Sequence, residues 1–196
     1  MNFDEMLDRM QKDINSATAA YYAYVEFNNA LCNPDVKRAA DKAPSFWQTT
    51  KYSLQTTAIL ALARIFDSDS QTYSVNWLFS ECFKHQSDLY CKPAEIQLLK
   101  DKLKPATKIY ADKIKPIRNK IIAHSERLTA EQIVAEFKYL SHGEWQTVCS
   151  DLNSIITALR LAHTESIEIT GEDYPNNIEE LMRANVERVT SAISYA

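Results

Sequence analysis

Ser45-Phe-Trp-Gln-Thr-Thr-Lys-Tyr-Ser-Leu-Gln-Thr-Thr-Ala-Ile-Leu-Ala-Leu-Ala-Arg-Ile-Phe-Asp67 is the most apolar long stretch of the chain. Its Phe46, Trp47, Tyr52, Leu54, Ala58, Ile59, Leu62, Ile65 and Phe66 recur at helical spacing. Pro44-Ser45 ahead of them is a helix-start signal. A helix over 45–67 is therefore expected to form the central core element. Glycine decides the class: the chain has two in 196 residues, against a usual share of about 7%. Folds rich in sheet need glycine at turns, bulges and phosphate loops, so the chain is expected to be all-α. Gly143 and Gly171 both fall in polar stretches, and no glycine-rich phosphate loop can be built.

Outward from that helix the same period recurs. Phe3, Met6, Leu7, Met10, Ile14, Ala17, Tyr21, Tyr22, Tyr24, Val25, Phe27 and Leu31 predict one long helix over 3–32, stopped by Asn33-Pro34-Asp35. The tyrosine cluster is the kind that stacks on bases, but at this spacing core or interface packing is the favoured role. A short piece spans 35–42, and an amphipathic helix covers 74–84. The next helix starts at Pro93 with Ile96, Leu98, Leu99 and Leu103 as its buried stripe. Pro105 restarts it, and Ala106–Lys115 leads to Pro116, where a kink or a fresh start is expected. Helices over 129–137, 144–163 and 178–193 and a loop over 166–177 complete the pattern. No internal repeat or low-complexity tract is visible. The length suits a single domain over 1–196 with a sizeable core.

The four cysteines, Cys32, Cys82, Cys91 and Cys149, form no C-x-x-C pair, so reduced and mostly buried thiols are expected in place of a zinc site. Asp67 and Asp69 suggest a carboxylate metal pair, but no third ligand is near. A capping or salt-bridge role is expected, with no metal and no cofactor. His85, His142 and His163 stand at helix ends, where structural roles are favoured. No signal peptide is read at the start, and the longest apolar run, Ala58–Ala63, is far too short for a membrane span. A cytoplasmic protein without a membrane partner is expected.

Net charge is −4 but unevenly spread. Residues 92–127 hold ten Lys/Arg against four acids, a net +6, which leaves −10 on the remainder. A basic segment on an acidic body suits a polyanion, although a solvated lysine-rich helix face has the same composition. At its centre lies Lys113-Ile-Lys-Pro-Ile-Arg-Asn-Lys-Ile-Ile-Ala-His-Ser125. Arg118 carries a permanent cation whose fork matches phosphate oxygens. His124 can exchange protons near neutral pH. Asn119 and Lys120 adjoin them, and Ile117, Ile121 and Ile122 are expected to anchor the segment. On a regular helix, Arg118 and His124 stand roughly 120° apart. They converge only if the helix ends between them or a second chain closes the site.

Arg118-Asn119-Lys120-Ile-Ile-Ala-His124 resembles the signature of the HEPN superfamily: an arginine, a polar residue, and a histidine after a gap of four to six. The form Arg-Asn-Lys-x-x-Ala-His resembles its abortive-phage-infection (AbiU-like) branch. The upstream Ala63-Arg64-Ile-Phe-Asp67 matches that branch's helix end. The resemblance implies an all-α helical bundle with additional short helices. It also implies a metal-independent endoribonuclease, acting as a toxin or phage-defence effector in a homodimer whose cleft joins the arginine and histidine of both protomers. By this resemblance His124 is the general acid or base, Arg118 steadies charge on the phosphate, and Asn119 orients the pair or bonds a phosphate. Lys115 and Lys120 would hold the RNA backbone, and a cognate antitoxin is an expected partner. The competing reading is a non-catalytic scaffold or adaptor that binds a nucleotide or a protein.

Overall fold

A computed structural model describes residues 3–67, 73–84, 89, 92–123 and 140–164. They form helices α1 (Phe3–Ala30), α2 (Pro34–Ala40), α3 (Pro44–Phe66), α4 (Val75–Lys84), α5 (Pro93–Lys102) and α6 (Lys104–Ile109). A π-helical turn, Tyr110–Ile114, leads into α7 (Lys115–Ala123), and α8 (His142–Thr164) follows. No strand occurs among the described residues, as the scarcity of glycine requires. His85, Asp69, Cys91, His124 and the helices expected over 129–137 and 178–193 lie outside the described residues, as does the loop expected over 166–177.

Local chemistry sets the helix ends. Leaving α1 at Ala30, two residues earlier than expected, the chain turns so that the Asn33 side chain accepts a hydrogen bond from the Asp35 N–H at 2.9 Å. With Pro34 in the first turn this caps α2. Ser74 Oγ accepts from the Trp77 N–H at 3.3 Å ahead of α4. Ser141-His-Gly-Glu144 is a capping box, in which Glu144 accepts from the Ser141 N–H at 2.9 Å and Ser141 Oγ from the Glu144 N–H at 3.3 Å. For this reason α8 starts at His142 and not at Glu144, as first expected.

The break expected at Pro116 lies upstream and takes another form. Proline has no N–H to donate to the Asp112 carbonyl, and its ring would press on that oxygen in a regular helix. The preceding turn widens instead, and the Lys115 N–H bonds to the Tyr110 carbonyl five residues back. Helical geometry thus continues from Lys104 through Ala123.

The described residues gather into two compact units. One holds α1 up to Ile14, the chain from Ala61 to Pro116 and the chain from Leu140; the other holds Asn15–Leu60 and the chain from Ile117. In the first unit Met6, Met10, Ile14, Leu62, Leu78, Phe79, Ile96, Ile114, Trp145 and Leu159 are almost wholly buried. Burying each such side chain contributes about 1.5–3 kcal/mol, which makes this the principal stabilising term. α6 packs on α8, while Arg64 reaches Asp13 and Arg160 reaches Asp8 at the rim. His163 fits its expected structural role: Nδ1 lies 3.0 Å from Asp4 and the ring 5.2 Å from Phe3.

In the second unit Tyr21 and Tyr22 are buried edge to face, so these tyrosines are core and not base-stacking residues. Burial raises the pKa of Tyr24, opposed by the neighbouring Asn28 side chain. Phe27 stacks on Trp47 at 4.8 Å. Two residues expected in the core are on the surface. Phe46 is 61% exposed because it sits in the first turn of α3 and meets Trp47 only edge on. Leu98 is 67% exposed, since α5 buries Ile96 and turns Leu98 to solvent. Cys82 and Cys149 are buried, as expected, and Cys32 is exposed.

Candidate nucleic-acid interface on α7

Two anchors fix the approach to α7. At the end of α3, Phe66 stacks on Tyr110 (4.7 Å, 16°), whose hydroxyl donates to Asp67 at 3.0 Å. Asp67 is therefore a hydrogen-bond acceptor for the π turn, in keeping with a structural carboxylate. No cluster of three metal-ligating side chains occurs among the described residues. The second anchor is Lys113 to Glu144, Nζ to Oε1 at 2.5 Å, between the π turn and the start of α8.

Glu144 is unusually acidic. Lys113 chiefly, and then the Ser141 N–H, lower its pKa from 4.5 to about 2. A depressed carboxyl pKa stabilises the fold above its unfolded value and loses that contribution as protons arrive. The Lys113–Glu144 contribution is thus complete above about pH 4.5 and disappears as pH falls toward 2. The pair is solvent-accessible, so its whole worth is at most about 1 kcal/mol. Urea unfolding at pH 5 and pH 2.5 should show a slightly smaller acid loss in Glu144→Gln than in the wild type. An equal loss in both proteins would remove the pair from the acid response.

Along α7 the expected site residues sort by phase. Ile117 is 4% exposed and faces the core, as expected; the side chains of Ile121 and Ile122 lie outside what is described. Lys115, Arg118 and Asn119 stand at i, i+3 and i+4 and share one face. Arg118 is half-buried, with its Nε shut off from solvent, while Lys115, Asn119 and Lys120 are exposed. Arg118 Nη1 donates to Asn119 Oδ1 at 3.0 Å. The amide thereby holds the plane of the guanidinium and leaves its other N–H groups directed elsewhere. Lys120 is two residues past Arg118, or roughly 160° around the axis by the shorter way. It cannot grip the same phosphate as Arg118 from this helix.

Chemically, the Lys115–Arg118–Asn119 face can bind an anion and stabilise negative charge on a planar set of oxygens. It offers no side chain that exchanges protons near neutral pH. The sequence reading missed the Tyr110–Asp67 bond. Its signal was present in Ala63-Arg64-Ile-Phe-Asp67, whose last two residues hold Tyr110 while Arg64 holds Asp13. No helix among the described residues is long and apolar enough to cross a membrane.

Comparison with protein-family models matches residues 2–183 to the HEPN family described as AbiU2. No curated protein and no solved structure matches the chain.

Proposed function

The chain belongs to the AbiU2 family of HEPN domains, and from that premise we propose that it is a metal-independent endoribonuclease of phage defence or of a toxin–antitoxin pair. The observation that carries this reading is the Arg118 guanidinium, held by Asn119 beside Lys115 on an exposed helix face, with His124 six residues beyond Arg118. The active form is a homodimer whose cleft joins the arginine and histidine of both chains. Such a cleft also answers the angular separation that a regular helix would give the two residues. The protein acts in the cytoplasm, and a cognate antitoxin restrains it.

In this reading a neutral imidazole of His124 takes the proton of a ribose 2′-hydroxyl, and the freed oxygen attacks the adjacent phosphorus. Arg118 meets the charge that gathers on the non-bridging oxygens. The 5′-oxygen leaves with a proton from an imidazolium. The products are a 2′,3′-cyclic phosphate and a 5′-hydroxyl, and the step consumes no water.

Purified protein is expected to cut RNA in the presence of EDTA and leave cyclic phosphate ends. Cutting that stops in EDTA, or RNA that is bound and never cut, would overturn the mechanism; the second outcome belongs to a binding scaffold. Sedimentation is expected to show a dimer at micromolar concentration. A monomer that still cuts RNA would remove the shared cleft.

A further inference from the structure

The second unit contains a cleft of about 410 Å³ whose described lining includes no residue of α7. Its walls are the end of α1 (Leu31, Cys32), the end of α2 (Lys37, Asp41) and the start of α3 (Trp47, Lys51). The volume falls inside the range of about 300–1,000 Å³ typical of small-molecule sites. One wall is aromatic: Trp47 is half-exposed and stacked at 4.8 Å, 20° on the buried ring of Phe27. The stack fixes the indole at little further entropic cost, so an incoming ring meets a rigid shelf.

The charges in the cleft are out of balance. Lys51 is half-buried, with Nζ 5.3 Å from the centre of the Phe27 ring. Among the described residues no ion pair holds Lys51 or Lys37, and Asp41 is the single carboxylate of the lining. Burial lowers the Lys51 pKa below its ordinary value, the mark of an ammonium partly withdrawn from water. A cation kept in this state beside an aromatic shelf gains most from a ligand that brings an anion and a flat ring together.

We propose that this cleft binds a small aromatic anion, its ring against Trp47 and its phosphate or carboxylate between Lys51 and Lys37. The site is independent of RNA cleavage at α7. A substitution here leaves the ribonuclease residues in place, and the two proposals succeed or fail separately.

Phenyl phosphate is the probe, titrated against the full chain by calorimetry and by tryptophan fluorescence. Inorganic phosphate supplies the charge without the ring, and benzyl alcohol the ring without the charge. Phenyl phosphate is expected to bind at least tenfold more tightly than either. Lys51→Met and Trp47→Ala should each weaken it at least tenfold, while Lys51→Arg keeps most of the affinity. Circular dichroism and melting of each variant establish that it is folded. No binding of phenyl phosphate would overturn the site. So would affinity no better than that of inorganic phosphate, or affinity unchanged in a folded Lys51→Met protein.

Discussion

Arg118→Ala is expected to slow RNA cleavage by about 10²–10³-fold, the usual loss when one preorganised donor to a developing oxyanion is removed. The fold should survive, because the side chain is only half-buried and its Nη1 bonds to the adjacent, exposed Asn119. A shift within about 0.5 kcal/mol is ordinary for such a position. Arg118→Lys tests geometry against charge. Lysine restores the cation without the planar fork, so it should recover only part of the lost rate. Asn119→Ala removes the acceptor that holds Nη1 at 3.0 Å. As a positioning residue it should lower kcat with little change in KM, and Asn119→Asp, which keeps an acceptor oxygen, should restore part of the rate. Helix phase adds a contrast between the lysines. Lys115→Ala, on the face of Arg118, should reduce the salt slope of RNA binding by about one and cost more affinity than Lys120→Ala. An Arg118→Ala protein that cuts RNA at the wild-type rate would remove Arg118 from the chemistry.

The class of fold was legible because it rests on statistics that accumulate over many residues. Two glycines and an unbroken 3.6-residue period cannot be reconciled with a sheet. What the period cannot supply is the identity of the neighbour. Leu98 and Phe46 satisfy the apolar pattern, yet both face solvent, because burial depends on which helix lies opposite. Gln55 breaks the pattern and is wholly buried, with neither its amide oxygen nor its nitrogen hydrogen-bonded among the described residues, a placement that spacing does not predict. Pro116 signalled an interruption, but only the backbone shows that the preceding turn absorbs it by widening. The capping box at Ser141 and Glu144 was readable from four residues, and reading it would have placed the start of α8. At the site, adjacency in sequence was enough to pair Arg118 with Asn119. Helical phase, available from spacing alone, sets Lys120 on a different side of α7 from Arg118.

Tyr110→Ala carries the largest expected loss of stability among the residues that support α7. The ring is 4% exposed and stacked on Phe66. Truncating a buried aromatic side chain to alanine costs about 3–5 kcal/mol, which for a chain of this length lowers Tm by roughly 6–20 °C. The hydroxyl adds a separate contribution. Tyr110→Phe keeps the stack and removes the donor to Asp67, at a cost of about 1.5–3 kcal/mol for a bond to a charged group. Because both substitutions act at one contact, their effects should not add. A double-mutant cycle of Tyr110→Phe with Asp67→Ala should show a coupling of about 1 kcal/mol or more. The physical content is that Phe66 and Asp67, the last two residues of Ala63-Arg64-Ile-Phe-Asp67, act together on a single tyrosine. One grips the face of the ring and the other its hydroxyl, which fixes the turn that Pro116 forces open. Zero coupling, with the crystal of Tyr110→Phe otherwise unchanged, would mean that Asp67 serves some other partner and that the stack alone holds the turn.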